Sequence, residues 1–287
     1  MDTPSGLRNS GVICWLNSLL QAMLSSRILC SSFEESSDES ATHREFRTLI
    51  QKAIKKEDIS LSSSSILRAL ITDLRRQQKS IDIAFGQQSS SEGLILILDM
   101  LNKKEINDRF YHVYEDTIQC DQTGKVVSKV RSINNVFYIF DEETLLERGI
   151  RDFLLCHSNV LDEDFTPDDH EPGHTYRRIY TLRRIPEIVV IALNRYMTNG
   201  RAHKKRNPKI KLPNEFSMPH NKEGDIKYTK IAEVHHLGGL NGGHYMSVAK
   251  RGNQSYLFND EQVTPRAMET VPTTYLTFYE VSNIDRI

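Results

Sequence analysis

Cys14, His244 and Asn259 are residue types suited to covalent catalysis, and each sits in a distinctive local sequence. Cys14 lies in "GLRNSGVICWLNSLLQ", residues 6 to 21, between a polar segment with two glycines and an amphipathic run. At the opening of a helix its sulfur meets unpaired backbone N–H groups and the positive end of the helix dipole, which favours thiolate over thiol. Gly11 permits a sharp turn ahead of it, and the Asn9 side-chain amide is a donor for an oxyanion forming beside the sulfur. The stretch also suits a purely structural cysteine, since free cysteine is among the most buried residue types.

A thiolate nucleophile needs a base. His244 stands in "LGGLNGGHYMSVAKRGNQSYLFNDEQV", residues 237 to 263, after glycines 238, 239, 242 and 243, which form a mobile or tightly folded loop. "HYMSVAK" and "SYLF" are two strands joined around Gly252 and Asn253, so cross-strand partners have numbers summing to about 505. Met246 then faces Asn259, and Asn259 lies diagonally across from His244 on one face, within reach of an imidazole nitrogen. Asn259 is the expected orienting residue and Asp260 a nearby supporting one, although a one-residue slip or a bulge exchanges them. His235 and His236 are read as ordinary strand residues facing opposite sides.

These groups must be carried by two kinds of element. Helical spacing dominates the first hundred residues: Leu16 to Leu24, Phe46 to Ile54, Ile66 to Leu74, and a buried helix over Glu92 to Leu101. Serine-rich joints at Ser31 to Ser40 and Ser60 to Ser65 read as solvated loops. From about Phe110 the period changes, with strands over Val126 to Val130, Val136 to Phe140, Tyr176 to Leu182 and Glu187 to Leu193, bounded by Pro186 and Gly200.

Composition narrows the function. The 287 residues carry a formal charge of -1, are 38% hydrophobic and 26% charged, and give no reason to expect a polyanion-binding surface or a nucleic-acid partner. The basic run "RAHKKRNPKIK", residues 201 to 211, reads as a solvated loop or a docking surface for an acidic partner. Four scattered cysteines, Cys14, Cys30, Cys120 and Cys156, read as reduced thiols of an intracellular protein. No secretory signal is visible and the early apolar stretch is too short to span a bilayer, so a soluble protein with no membrane partner is expected.

With Cys14, His244 and Asn259 in that order, the sequence resembles the ubiquitin-specific proteases, papain-like cysteine proteases that cleave ubiquitin from conjugates. Residues 6 to 21 are similar to the family's cysteine box, glycine-leucine-x-asparagine-x-glycine-asparagine-threonine-cysteine followed by an aromatic and asparagine-serine. "GGLNGGHYMSVAK" with "YLFNDEQV" resembles its histidine box. "QQSSSEGLILILDML" resembles a glutamine-glutamine-aspartate-x-x-glutamate-phenylalanine segment opening a buried helix, and "RRIPEIVVIALNRY" a proline-led strand. The resemblance implies an α+β, papain-like fold in a single catalytic domain over 1–287: a helical thumb to about residue 105, antiparallel β fingers over about 106–180 and a β palm over about 181–287. It implies Cys14 as nucleophile, His244 as base, Asn259 as its orienter, Asn9 as oxyanion donor and Asp260 in support. It also implies a modifier's Gly-Gly tail threading past Gln88, Glu92, Gly242, Gly243 and Tyr245. The implied partners are ubiquitin or a ubiquitin-like modifier and its conjugates, acted on by a cytoplasmic or nuclear monomer. Because the cysteine stretch begins at residue 6, partner selection is expected from the hand itself or from segments outside this sequence.

Three departures from the family pattern matter. Val12 and Ile13 replace the usual Asn-Thr, removing no proposed catalytic group. Ser89 stands where the family carries an aspartate that pairs with an arginine of the modifier's tail, which opens the alternative of a ubiquitin-like substrate; Ser91 and Gly93 are also unusual. The family's finger zinc has no regular counterpart: Cys120 stands alone, and Cys156, His157, His170 and His174 complete only an irregular set, so no metal or other cofactor is expected. A catalytically inactive binding module is the remaining alternative.

Overall fold

The computed structural model describes residues 3–35, 40–80, 82, 88–101, 103–139, 142–161, 173–193, 196–199, 202–205, 210–220, 224–239 and 242–282. Its first third is helical: α1 (Cys14–Met23), α2 (Arg27–Glu35), α3 (Ala41–Ile54), α4 (Ser62–Arg76), α5 (Ser90–Leu101) and the single turn α6 (Lys104–Asn107). All ten residues of α1 are buried, Asn17, Ser18 and Gln21 included, and among the helices α5 and α4 pack on it. Asp73 of α4 accepts from the Thr42 N–H (2.8 Å) and hydroxyl (2.7 Å), placing a carboxylate at the N-terminus of α3, where the helix dipole favours it. α5 packs against α1 at a large–small pair. A Cβ on Gly93 would sit 2.4 Å from the Trp15 ring, so only glycine permits that approach.

The serine-rich joints are not loops throughout. Ser31 and Ser32 lie inside α2, their hydroxyls donating back to the Ile28 carbonyl at 3.0 and 2.8 Å, while Ile28, Leu29 and Phe33 supply the buried face. Ser62 to Ser65 form the first turn of α4, and Ser63 is fully buried. Back-bonded hydroxyls let serine sit in a helix whose apolar face is buried, and that burial overrides its loop preference.

From residue 112 the chain is mostly sheet. A four-stranded antiparallel sheet has the order β2 (Val126–Asn134), β1 (His112–Cys120), β5 (Tyr176–Arg184), β4 (Cys156–Val160). Arg178 grips Asp116 across it, its Nε lying 2.9 and 2.8 Å from the two carboxylate oxygens. The second sheet has eight strands. Its path is β13 (Gln262–Pro265), β12 (Gln254–Asn259), β11 (Gly242–Arg251), β10 (Gly224–Gly239), β14 (Thr274–Val281), β6 (Ile188–Leu193) and β3 (Phe137–Ile139), with β9 (Glu215–His220) on the first half of β10. All pairings are antiparallel except β3 with β6. β6 and β14 are buried along their whole length, which explains the unbroken apolar run "IVVIAL".

Helix α7 (Glu142–Leu155), broken by Gly149 at φ 75°, falls in the half read as sheet. Its Phe153 and Leu154 are buried, and the Leu154 carbonyl accepts from the Tyr114 hydroxyl at 2.6 Å. β7 (Tyr196–Asn199) and β8 (Ala202–Lys205) form a separate hairpin that takes in part of the basic run; Gly200 and residues 206–209 lie outside the described residues. Among the described residues no helix is long and apolar enough to cross a membrane.

Candidate active site

Cys14 is the first residue of α1 and Ile13 its N-cap. The Ile13 carbonyl accepts from the N–H groups of Leu16 and Asn17, both at 3.0 Å, and no side chain caps this end. The approach is shaped by Asn9, whose Oδ1 accepts from the Gly11 N–H (3.2 Å) and the Ile13 N–H (3.3 Å). Gly11 adopts φ 149°, a region effectively reserved for glycine. Residues 9 to 13 thus form a turn whose exit delivers the buried Cys14 sulfur to the positive end of α1.

A second set of bonds ties this front end to the far end of the chain. Asp260 lies between β12 and β13 at φ 53°, a left-handed conformation that Asp tolerates. Its Oδ2 accepts from Asn9 Nδ2 at 3.0 Å and its Oδ1 from Asn17 Nδ2 at 2.7 Å. Its backbone carbonyl accepts from the Leu7 N–H at 3.0 Å. Asn17 is three residues beyond Cys14, on the same side of α1, and its Nδ2 also reaches the Leu7 carbonyl at 3.2 Å. One carboxylate therefore clasps both the turn before the thiol and the helical turn after it.

His244 sits on β11 opposite Leu237 of β10. The β11–β12 ladder runs from Arg251↔Gln254 to Ser247↔Phe258, so partner numbers sum to 505 and Asn259 falls diagonally across from His244. His244 Nε2 lies 2.5 Å from Asn259 Oδ1. With Oδ1 accepting, Nε2 holds the proton and Nδ1 keeps the lone pair that a general base uses. α1 packs directly on β10, β11 and β12, so the thiol's helix lies on the strands that carry His244 and Asn259.

The remaining expected site residues are spread around this centre. Gly242 and Gly243 are exposed but not in a loop, since they pair in register with Gly239 and Gly238. A Cβ on Gly243 would come within 2.2 Å of the Leu237 carbonyl oxygen and 2.3 Å of His236 Nε2, so the strand beside His244 has room only for glycine. Tyr245 is buried against the His236 ring, centroids 4.4 Å apart. His235 and His236 are both buried, and His235 Nδ1 lies 3.3 Å from the Thr274 hydroxyl. Gln88 precedes α5 and reaches the Asp82 carbonyl at 3.4 Å, and Glu92 is exposed on α5 beside a shallow cavity of about 420 Å³. Neither joins the Asn9–Asp260–Asn17 network. Ser89 and Ser91 each lie 2.7 Å from the Tyr275 hydroxyl and 2.9 Å from each other, a closed hydroxyl cluster between α5 and β14. Burial pushes the Tyr275 phenol up, which keeps that cluster neutral.

The irregular cysteine–histidine set does not converge. Cys120 Sγ is 3.4 Å from His174 Nδ1, but Cys156 pairs with Thr181, five residues along β5 from Tyr176, the partner of Cys120. That is about 17 Å of strand. His157 stacks between Phe153 and Tyr180, each 4.7 Å away, and His170 lies outside the described residues. Among the described residues no three His, Cys, Asp or Glu side chains come together as a metal set.

The sequence model of the family described as ubiquitin carboxyl-terminal hydrolase matches residues 5–279. Ubiquitin carboxyl-terminal hydrolase 2 of Rattus norvegicus is 23% identical over 347 residues, covering 97% of this chain and 54% of the relative. Ubiquitin carboxyl-terminal hydrolase 8 of Saccharomyces cerevisiae is 24% identical, covering 99% of this chain and 72% of the relative. The chain spans about half the length of the rat, bovine and human relatives it matches. Among solved structures, a chain of the SAGA DUB module of Ubp8, Sgf11, Sus1 and Sgf73 bound to monoubiquitin superposes with a TM-score of 0.74 at 19% identity, covering 98% of this chain and 70% of that one. The same module bound to ubiquitin aldehyde gives 0.71 at 19% identity, covering 98% and 70%. These likenesses establish the helix-plus-antiparallel-sheet, papain-like fold.

Proposed function

The chain belongs to the ubiquitin carboxyl-terminal hydrolase family, and on that premise we propose that it is a cysteine isopeptidase that removes ubiquitin from protein conjugates. The observation that carries this reading is the 2.5 Å bond from His244 to Asn259, on a hairpin that Asp260 clasps to both sides of Cys14 through Asn9 and Asn17.

In this reading His244 Nδ1 takes the Cys14 thiol proton as Sγ attacks the carbonyl of the modifier's terminal glycine. Asn259 holds the imidazole in the tautomer this requires and faces the positive charge that forms on it. Asn9 Nδ2 has two hydrogens; Asp260 takes one, leaving the other for the oxyanion, beside the open amides of α1. The tetrahedral adduct collapses, His244 returns the proton to the departing lysine amine, and water then hydrolyses the thioester by the same route reversed. Asp260 acts as a positioning residue for the oxyanion donor through Asn9, while its bond to Asn17 anchors the hairpin on α1. The tail is read as passing Gln88, Glu92, Gly242, Gly243 and Tyr245, between the helices as thumb and the eight-stranded sheet as palm, with the four-stranded sheet as fingers. We read the enzyme as a monomer of the cytoplasm or nucleus.

A second reading keeps the chemistry and changes the modifier to a ubiquitin-like protein. It is favoured by Ser89, whose hydroxyl is engaged with Tyr275 and Ser91 and offers no carboxylate to an arginine. The experiment is a panel of C-terminal fluorogenic amides and electrophilic probes built on ubiquitin and on its relatives. Turnover and labelling that vanish in Cys14→Ala are expected. Turnover unaffected by that substitution ends the thiol mechanism, and binding without labelling supports an inactive module instead.

A further inference from the structure

Beside Leu24, at the end of α1 opposite Cys14, a cavity of about 670 Å³ opens between residues 3–5, α2, α3 and the β11–β12 turn. That volume is in the range of small-molecule sites. Its wall is apolar, formed by Leu24, Ile50, Ala53, Ile59 and Tyr256, and Ile54 lines it while remaining 59% exposed. Arg251 and Cys30 also line the space.

Arg251 is unusual in its partners. Nη1 donates to the Ser25 hydroxyl (2.9 Å) and the Lys250 carbonyl (2.8 Å), and Nη2 to the Gln21 carbonyl (3.1 Å) and to Gln21 Oε1. Its guanidinium lies 4.8 Å from the centre of the Phe258 ring. These contacts use four of its five N–H groups, and all the acceptors are neutral. Among the described residues no carboxylate pairs with this cation, and Nε–H has no acceptor. Burial pushes its pKa down to about 10, opposed only by the nearby Cys30 thiol. The rim charges, Lys56 and Glu57, offset one another, leaving Arg251 as the net charge of the cavity.

We propose that this cavity is a binding site for an amphipathic monoanion, specifically a medium-chain carboxylate, with its chain along Ile50, Ala53 and Ile59 and its carboxylate on Arg251. An apolar wall ending in an unneutralised guanidinium matches an alkyl chain ending in a carboxylate in both shape and charge.

The test titrates the whole chain with octanoate, decanoate and the neutral decanol, all below micelle-forming concentrations. Calorimetry reads affinity, and mass spectrometry reads the protection of Cys30 from alkylation. One carboxylate per chain is expected, tightening about fourfold for each added methylene. Protection of Cys30 and at least tenfold weaker binding of decanol are also expected. Arg251→Gln removes the carboxylate preference. Should that variant fail to fold, Ile54→Glu, a change at an exposed position, places a negative charge in the lining and is expected to weaken decanoate at least tenfold. Equal binding of decanol and decanoate overturns the charge assignment. No binding, several molecules per chain, or binding indifferent to Ile54→Glu with Cys30 unprotected overturns the site.

Discussion

Asp260→Asn separates the clasp from the chemistry it serves. Asparagine tolerates the φ of 53° at this position, so the backbone has no reason to move. What changes is the side chain's bonding. The carboxylate accepts from Asn17 at 2.7 Å and from Asn9 at 3.0 Å, whereas the amide has one oxygen, and its NH2 must face the NH2 of one of these partners. Hydrogen bonds to a charged group contribute about 1.5–3 kcal/mol, so losing one and weakening the other is expected to destabilise the fold by about 2–4 kcal/mol. In the proposed mechanism Asn9 then loses the contact that aims its remaining N–H at the oxyanion. Removing an oxyanion donor outright reduces kcat by about 10²–10³, the effect expected of Asn9→Ala, and a loosened donor should lose roughly ten- to a hundredfold. The assay pairs urea unfolding with turnover of a fluorogenic ubiquitin amide, for each single variant and for the double. If Asp260 acts through Asn9, the double variant turns over no more slowly than Asn9→Ala. Losses in kcat that multiply, or an Asp260→Asn enzyme less stable but unchanged in kcat, would refute the reasoning.

Two further outcomes follow from packing and burial. Gly93→Ala drives a methyl group to 2.4 Å from the Trp15 ring and is expected to lower stability by about 1–3 kcal/mol, with Trp15→Phe in the same chain restoring part of the loss; equal urea midpoints for Gly93→Ala and the parent would refute the large–small pairing. His112 is buried, stacked 3.6 Å from Phe137, and burial pushes its pKa down to about 3. The unfolded chain binds a proton there below about pH 6.5 and the native state does not, so stability falls as pH drops from 6.5 towards 3, by at most about 1.4 kcal/mol per unit. His112→Phe should flatten the decline in urea midpoint between pH 7 and 4 that the parent shows.

What could be read from the sequence was whatever local geometry dictates. A two-residue turn at Gly252 and Asn253 fixes every pair of the β11–β12 hairpin by arithmetic, and that places Asn259 diagonal to His244 before any tertiary contact is considered. The change of period after residue 110 likewise follows from side-chain alternation. What escaped depended on partners distant in sequence. Asn17 is a polar residue within an apolar helix, and the amide's bonds to the Leu7 carbonyl and to Asp260, 243 residues later, explain why it is there. The glycine at 93 is intelligible only with Trp15 lying over it, and the hydroxyls at 89 and 91 only with Tyr275. Helix α2 was hidden because serine's loop preference outweighs three apolar residues locally, and the burial that reverses the balance is supplied by other helices. Helix α7 was hidden by Gly149, which splits its period in two.

The clasp between Asn9 and Asp260 joins residues 251 positions apart, and α1 buries all ten of its residues largely against strands that follow it by more than 200 residues. On the ribosome the first helix must therefore wait roughly 10–50 s at ordinary elongation rates before its docking surface exists. Throughout that interval an apolar segment with a thiol at its tip stays exposed, a demand on chaperones that a helix placed late in the chain would not make. A chain cut short before residue 244 keeps Cys14 but lacks both His244 and Asn259, so in the proposed mechanism its thiol has no base.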